Sequence, residues 1–216
     1  WIRATGFNSH AEGGGVEAAG QTSHAEGSYT LASGMSSHAE GSYTSASNYY
    51  SHAEGFYAKA TGEGSHAEGY YATATGSYSH AEGSGSKASG NFSHAEGEQT
   101  NASKDGSHAE GLGAVASGYN SHAEGLYTKA VGNFSHAEGW GTNASGQESH
   151  AEGDHTVASN NYEHAQGRWN LSSKNQIFSI GTGNGETDRR NAVSVLELAN
   201  SGSYTSAFFV QNIGGY

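Results

Sequence analysis

A His and a Glu two residues apart recur along this 216-residue chain within the motif SHAEG, which occurs eleven times at intervals of fourteen residues. A twelfth copy reads EHAQG and begins at Glu163. Ser, His and a carboxylate are the residue types of catalytic triads, and His with Glu is also a metal-ligand set and an ion pair. The candidate residues are His10, Glu12, His24, Glu26, His38, Glu40, His52, Glu54, His66, Glu68, His80, Glu82, His94, Glu96, His108, Glu110, His122, Glu124, His136, Glu138, His150, Glu152, His164 and Gln166.

Catalysis by this motif conflicts with strand geometry. Successive side chains of a β-strand point to opposite faces, so Ser9 does not present its hydroxyl to His10 as a triad requires. Eleven copies of one active site in a single chain would also be unusual. We therefore predict no catalytic residues, no enzymatic activity and no cofactor.

The period of the motif predicts the elements that position it. With the Ser of SHAEG as position 1, the unit reads S-H-A-E-G-x-x-[ST/A]-x-A-[ST]-[G/N/K]-x-x. Two Gly per unit, with Ser, Thr and Tyr in many other positions, disfavour a helix, and fourteen residues suffice for two short strands and two turns. Each unit should form one coil of an all-β parallel β-solenoid. Gly at position 5 and Gly or Asn at position 12 are predicted to have positive φ.

Alternation along the strands predicts which side chains the coil encloses. Ala at position 3 points away from His and Glu, and positions 8 and 10 carry small residues, as at Thr128 and Ala130. The interior should therefore consist of Ala, Ser and Thr, with His and Glu facing outward. Because a coil this thin has little core, and because the His and Glu face does not vary, we expect that face to pack against other copies of the chain.

The chain is predicted to have two parts. Residues 1–167 form the repeat array, whose twelve units begin at residue 9 and whose last unit runs into the second part. Residues 168–216 form a small β cap, with strands at Ile177 to Ile180, Ala192 to Leu198 and Tyr204 to Gln211.

Composition excludes several classes of protein. The chain has no Cys, so it has neither a disulfide framework nor a thiolate metal site. A formal net charge of −12 argues against a nucleic-acid partner. No apolar run approaches the length of a membrane span, so no membrane insertion is expected.

Aromatic residues cluster on the more variable face of four successive units. Stacked rings can stabilise a solenoid, and exposed rings with hydroxyl groups also suit a sugar or another surface ligand. The candidate ligand ridge consists of Tyr29, Tyr43, Tyr57 and Tyr71 at position 7 and of Phe56 and Tyr70 at position 6.

The repeat resembles the head repeats of YadA-type trimeric autotransporter adhesins over residues 1 to about 167. Their N-S-V-A-I-G motif is similar to NSHAEG at residues 8–13 and 120–125, and their companion half resembles A-[ST]-G. The resemblance implies a left-handed parallel β-roll that assembles as a homotrimer. One departure is large, because the family's Val and Ile of the trimer interface are His and Glu here.

SHAEG arrays are also similar to those of phage and prophage tail-fibre proteins, and the segment IFSIGTGNGETDRRNAVSVLE resembles the same proteins. These resemblances imply a structural, host-attachment segment of a phage tail fibre on the virion. The alternative is the head of a bacterial surface adhesin, and a more distant one is the repetitive shaft of a surface-bound enzyme. The implied partners are two further copies of the chain and a host or cell-surface receptor, for which a glycan is one candidate.

Two hypotheses then remain for His and Glu at a trimer axis. Three imidazoles suit zinc, nickel or iron, but layers about 4.8 Å apart are too close for a divalent ion in each one. We expect no metal in most layers. A metal bound by axial His in a few layers is the alternative left open. The favoured interpretation is a charge-compensated ladder between chains, because twelve His face eleven Glu and Gln166. A Glu of a neighbouring chain should raise the pKa of each His, although burial opposes this.

Overall fold

The computed structural model describes residues 1–200 and 203–210, with side chains described for 1–197 and 207–210. Throughout these residues the chain is all-β, and successive coils of about fourteen residues form a parallel β-solenoid. The predicted all-β parallel β-solenoid of fourteen-residue coils is confirmed. The chain divides into two compact units, Trp1–Gly113 and Ala114–Tyr216. Among the described residues, no helix is long and apolar enough to cross a membrane.

Each coil of the N-terminal unit contributes a long strand that starts at the His of SHAEG and a short strand that ends at Ala of position 10. The long strands pair in parallel and in register, so that His66 lies between His52 and His80. The strands are β1 (Ile2–Ala4), β2 (His10–Gly14), β3 (Val16–Ala18), β4 (His24–Ser28), β5 (Leu31–Ala32), β6 (His38–Ser42), β7 (Ser45–Ala46), β8 (His52–Phe56), β9 (Lys59–Ala60), β10 (His66–Tyr70), β11 (Thr73–Ala74), β12 (His80–Ser84), β13 (Lys87–Ala88), β14 (His94–Glu98), β15 (Asn101–Ala102) and β16 (His108–Leu112).

The C-terminal unit repeats this coil and then leaves it. Its last three strands extend the long-strand sheet, first in parallel and then as two antiparallel neighbours. The strands are β17 (Val115–Ala116), β18 (His122–Leu126), β19 (Lys129–Ala130), β20 (His136–Trp140), β21 (Asn143–Ala144), β22 (His150–Asp154), β23 (Val157–Ala158), β24 (His164–Arg168), β25 (Gln176–Thr182), β26 (Asn191–Asn200) and β27 (Ser203–Val210).

The interior of the coils is as small as the sequence predicts. In the coil that begins at Ser65, Ala67, Ala72 and Ala74 have no solvent-exposed surface, and Ser65 is buried as well. The Ser65 hydroxyl donates to the Gly62 carbonyl at 2.7 Å, which pins the turn that precedes the long strand. With only such residues inside, His and Glu lie on the outward face of the long strand.

The turns correct one prediction. Position 5 has positive φ, as at Gly69 with +113°, but the glycines of position 12 do not, so the φ prediction for that position is wrong. A Cβ on Gly76, at position 12, would lie 1.9 Å from the carbonyl oxygen of Gly90 in the next coil. At Gly76, glycine is therefore favoured by close packing between coils rather than by φ, whereas other coils carry Asn48 or Lys104 at the same position. Positive φ falls at positions 7 and 14 instead, on residues such as Tyr57 (+56°) and Tyr78 (+57°).

The three strands predicted for the C-terminal segment are confirmed. The first two are longer than predicted, and the third begins one residue earlier, at Ser203, while its predicted end at Gln211 lies outside the described residues. The first of them, β25, continues the long strands in register: Phe178 pairs with His164 and Ile180 with Gln166. The strand that follows the last coil therefore presents two apolar side chains where the coils present His and Glu.

The last coil also carries a buried carboxylate. Glu163 stands at position 1, where the other coils have Ser, and it is fully buried. The backbone N–H groups of Ser159 and Asn160 donate to Glu163 Oε2 at 2.8 and 2.9 Å, and Oε1 has no hydrogen-bond partner. Burial raises the pKa of Glu163, although hydrogen bonds from Asn160, Ser159 and Ser172 oppose the shift.

Candidate functional site

The His/Glu column comprises the position-2 His and the position-4 Glu or Gln of successive coils. Alternation along each long strand turns both side chains outward, opposite the buried Ala of position 3. From His24 to His94, 35–41% of each His side chain and 46–48% of each paired Glu side chain is exposed. The column is thus a half-exposed surface of constant chemistry.

Imidazole rings stack on one another along the column. The centroids of His66 and His80 are 4.7 Å apart with an angle of 2° between the rings, and His94 stacks on His80 at 4.8 Å. Similar stacks join His136, His150 and His164 in the C-terminal unit. The spacing equals that of neighbouring β-strands, so each ring stands on the next because the coils are in register.

From His24 to His94, each His faces the Glu of its own coil. Nε2 of His66 lies 3.9 Å from Oε2 of Glu68, and the other coils from His24 to His94 have the same pair at 3.8–3.9 Å. These distances are too long for a hydrogen bond. Within one chain, His and Glu therefore form a row of close pairs without hydrogen bonds, and the ladder predicted between chains stays a prediction.

Nine Nε2 atoms of the column lack a hydrogen-bond partner among the described residues. Nε2 has neither exposed surface nor a hydrogen-bond partner in a set of side chains from both units, namely His24, His38, His52, His66, His80, His94, His136, His150 and His164. Buried polar atoms in native proteins are almost always hydrogen-bonded. A single chain thus leaves the column incomplete.

Burial and stacking lower the pKa of three His in the column. Burial lowers the pKa of His66, the neighbouring imidazoles of His52 and His80 lower it further, and Glu68 and Glu54 oppose the shift. The pKa values of His94 and His136 are lowered in the same way. The sequence predicted a raised His pKa for an assembly in which a neighbouring chain supplies a Glu. Within one chain the pKa of these three His is lowered instead, because burial disfavours the charged imidazole and the neighbouring imidazoles add to that effect.

Within the C-terminal unit the pairing changes along the column: His122 still faces Glu124 of its own coil at 3.7 Å, but His150 and His164 face the Glu of the preceding coil. Nε2 of His150 lies 3.7 Å from Oε1 of Glu138 in the preceding coil, and Nε2 of His164 lies 3.5 Å from Oε1 of Glu152. A groove of about 510 Å³ runs along this part of the column, lined by Glu124, Glu138, Gly139, Glu152, Gly153, Gln166, Gly167 and Ile180. Two triplets in this unit have ligand atoms within 4.8 Å of one another, and they are His122, Glu124 and His136, and Glu138, His150 and Glu152.

The Ser of SHAEG takes no part in the column. Ser9 Oγ donates to the Gly6 carbonyl at 2.8 Å, and Ser23 Oγ donates to the Gly20 carbonyl at 2.7 Å. These hydroxyls bond the preceding turn, while His and Glu lie on the other face of the strand. The arrangement contains no Ser–His hydrogen bond of the kind a catalytic triad needs.

The candidate ligand ridge is a continuous aromatic surface in the N-terminal unit. Tyr29, Tyr43, Tyr57 and Tyr71 stack in sequence with centroids 4.7–5.0 Å apart and nearly parallel rings. Phe56 and Tyr70 stack beside them at 5.4 Å and meet the Tyr rings edge-on. Four of the six side chains are at least 42% exposed, namely Tyr29, Tyr43, Tyr70 and Tyr71.

Sequence reasoning missed a second set of rings at position 14. Tyr78 and Phe92 stack at 5.5 Å, and the Tyr78 ring covers Gly64 of the preceding coil. Aromatic residues spaced fourteen apart were the available signal. The apolar end of the His/Glu column was also missed, although Phe178 and Ile180 follow His164 and Gln166 by one period.

A third aromatic cluster lies in the C-terminal unit. The His155 ring stacks on Trp169 at 4.1 Å and meets Trp140 edge-on at 4.8 Å. The Arg189 guanidinium lies 4.9 Å from the Trp169 ring centroid and donates to the His155 carbonyl at 2.9 Å. Asp154 bonds His155 Nδ1. These contacts tie the cap to the last coils.

Fold and column together define a surface-repeat protein built from small, regular β-coils. Residues 53–79 and 109–135 match the family model described as YadA head domain repeat, in two copies. The chain therefore carries YadA-like head repeats and is an adhesin-like fibre or head segment, a structural repeat class rather than an enzyme family. Segments of this class are extracellular and surface-exposed. A comparison with curated proteins gave no match.

Proposed function

We propose that the chain is a homotrimeric, non-enzymatic host-attachment segment of a phage tail fibre. The observation that carries this proposal is the His/Glu column: a face of constant composition, half-exposed in one chain, in which Nε2 of His66 and of other column His has neither exposed surface nor a hydrogen-bond partner. Partner chains would bring carboxylates and imidazoles to those atoms. The two further chains complete the ladder.

The small interior supports the same assembly. A coil that encloses Ala67, Ala72 and Ala74 buries little apolar surface, so that most of its stability must come from strand pairing and from neighbours outside the coil. The opposite face varies from coil to coil, as a solvent-facing surface does. The constant face is therefore the one that packs between chains.

The C-terminal end of the His/Glu column supports packing of this face between chains. Phe178 and Ile180 occupy the His and Glu positions of the coil after β24. Apolar side chains at these two positions gain from burial in a trimer and lose in water. We propose that they close the polar ladder with a short apolar layer.

A bacterial surface adhesin has the same repeat and is the second candidate. The tail-fibre proposal is favoured by the resemblance of the SHAEG array and of the segment after residue 176 to phage proteins. The candidate ligand ridge then supplies a receptor surface on either kind of fibre. Its parallel rings with exposed hydroxyls suit stacking against sugars.

The molar mass of the full chain tests the proposal. Light scattering after size-exclusion chromatography should give three times the 22.2 kDa chain mass. Replacing His66 and His80 together with Asp should dissociate the trimer, because carboxylates would then face carboxylates along the seam. The matched control is Lys87→Asp on the opposite, exposed face, which should leave the mass unchanged. A monodisperse monomer of the unaltered chain would refute the proposal.

Receptor binding is tested separately. Replacing Tyr29, Tyr43, Tyr57 and Tyr71 with Ser should reduce adsorption to host cells or glycan arrays while the molar mass stays that of the unaltered chain. Phe134→Ser, an exposed aromatic outside the ridge, is the control. Equal adsorption of the ridge variant and the unaltered chain would leave the ridge with a structural role alone.

A further inference from the structure

We propose that Glu138, His150 and Glu152 form a binding site for one zinc or first-row divalent transition-metal ion in the C-terminal unit. Metal binding at this site is a function separate from receptor attachment, and every ligand comes from a single chain. It thereby differs from the axial site of three imidazoles that the sequence left open.

Three ligand atoms already converge. One atom from each of Glu138, His150 and Glu152 lies within 4.8 Å of the other two, and His150 Nε2 is 3.7 Å from Glu138 Oε1. A tetrahedral ion with bonds of about 2.1 Å holds its ligand atoms about 3.4 Å apart. The two Glu side chains are 35% and 33% exposed. Rotation of these carboxylates closes the remaining distance without a backbone movement.

The His150 nitrogen needs a partner of this kind. Nε2 has no hydrogen-bond partner and no exposed surface, and its nearest carboxylate oxygen lies beyond hydrogen-bond distance. Stacking on His136 and His164 holds the ring in place at 4.7 Å on each side. A metal ion between the ring and the two carboxylates satisfies this nitrogen without moving the stack.

Charge favours a cation in the same place. The groove beside the site is lined by three carboxylates, Glu124, Glu138 and Glu152, and no Lys or Arg lines it. The next member of the column is Gln166, which is uncharged and ends the run of carboxylates. A divalent ion at Glu138 and Glu152 neutralises the two carboxylates nearest that end.

Pairing across coils distinguishes this site from the coils between His24 and His94. There each imidazole faces the Glu of its own coil, as His66 faces Glu68 at 3.9 Å. Residues 1–113 are all described, and no triplet of ligand atoms lies wholly among them. His150 stands between carboxylates of two consecutive coils. One imidazole with two carboxylates suits zinc, manganese, iron or cobalt better than magnesium or calcium, which prefer oxygen ligands alone.

Metal content of the untagged full chain tests the site. After removal of metal with chelator and dialysis against Zn²⁺, plasma mass spectrometry should find one tightly held zinc per chain, which an equal concentration of Mg²⁺ or Ca²⁺ does not displace. X-ray absorption at the zinc edge should show one imidazole nitrogen, with oxygen as the other ligands. Absence of bound zinc, or a shell of three imidazoles, would overturn the proposal.

Matched variants locate the ion. His150→Ala should lower zinc affinity at least tenfold, whereas His66→Ala, with the same ring stack in the N-terminal unit, should retain the unaltered affinity. If His150→Ala does not fold by circular dichroism, the isosteric double variant Glu138→Gln with Glu152→Gln takes its place, with Glu54→Gln and Glu68→Gln as control. Equal loss in variant and control, or no loss in either, would refute the assignment.

Light scattering on the same samples separates this proposal from the proposed function. A trimer without zinc would refute the metal site alone, and a monomer that binds zinc would refute the trimer alone.

Discussion

Tyr57 offers a test of whether the candidate ligand ridge stabilises the solenoid. Its ring is stacked between Tyr43 at 4.7 Å and Tyr71 at 4.9 Å, and Phe56 meets it edge-on at 4.7 Å. Its backbone has φ of +56°, a conformation that non-glycine residues rarely adopt. Substitution therefore removes two stacking contacts and, if the new residue is Gly, also relieves backbone strain.

The two effects have separable magnitudes. Two stacked pairs are worth about 1–3 kcal/mol together, so Tyr57→Ala should destabilise the chain by about that much. Gly at the same position recovers about 1–2 kcal/mol of left-handed strain and loses about 0.5–1 kcal/mol to the entropy of the unfolded chain. Tyr57→Gly should therefore be more stable than Tyr57→Ala by about 0.5–1 kcal/mol.

Thermal unfolding and hydrogen exchange of residues 51–64 measure these differences at a fixed chain concentration. The control is Tyr127, which has φ of +55° and for which no ring contact occurs among the described residues. Tyr127→Ala should be nearly neutral, and Tyr127→Gly neutral or slightly stabilising. If Tyr57→Ala is tolerated as well as Tyr127→Ala, the stack contributes nothing. If Ala is as stable as Gly at both positions, strain relief is refuted.

Three further predictions concern the column, the turns and the last coil. Because the pKa of His66 is lowered in the folded single chain, a variant that stays monomeric should keep the His66 contribution above the unfolded value of about 6.5 and lose it as pH falls below that value. In the proposed trimer, Glu of neighbouring chains should reverse this trend, so the melting temperature should rise as pH falls from 7.5 to 5.5; a fall over that range would contradict the ladder between chains. Gly76→Ala should destabilise the chain by about 3 kcal/mol, since a carbonyl of the next coil blocks its Cβ. Gly85→Ala should cost only about 1 kcal/mol, because its Cβ would meet nothing closer than 3.7 Å. Equal denaturant midpoints for the two variants would contradict this. Because the pKa of Glu163 is raised, its contribution is complete below the unfolded value and is lost as pH rises through the folded one. Glu163→Gln should therefore raise the melting temperature more at pH 7.5 than at pH 4.5, and an equal effect at both would contradict a buried charge.

Local rules were enough to predict most of the coil. Gly at position 5 indicated a left-handed turn, and Gly69 has that conformation. Small residues at positions 3, 8 and 10 indicated the interior, where Ala67, Ala72 and Ala74 are found. These predictions succeed because φ preference and side-chain alternation depend only on a residue and its immediate neighbours.

The turn at position 12 shows where local rules fail. Gly76 is needed because Gly90, fourteen residues away, places its carbonyl over the Gly76 Cα. The positive φ of Tyr57 could not be predicted either, since Tyr disfavours it. Here the stacked rings of neighbouring coils offset the local cost, and that contact exists only once the coils are assembled.

The sequence by itself determined the period, the all-β coil, the Ala-rich interior and the outward direction of the His/Glu column, because each follows from spacing along one chain. The tertiary structure decided how His and Glu of that column meet. Register between coils buries His66 in part and places it between two imidazoles, and both effects lower its pKa. The same register places His150 beside Glu138 of the preceding coil. Both outcomes depend on distances between residues fourteen apart in the chain, and only the stacking of coils at one strand spacing fixes those distances.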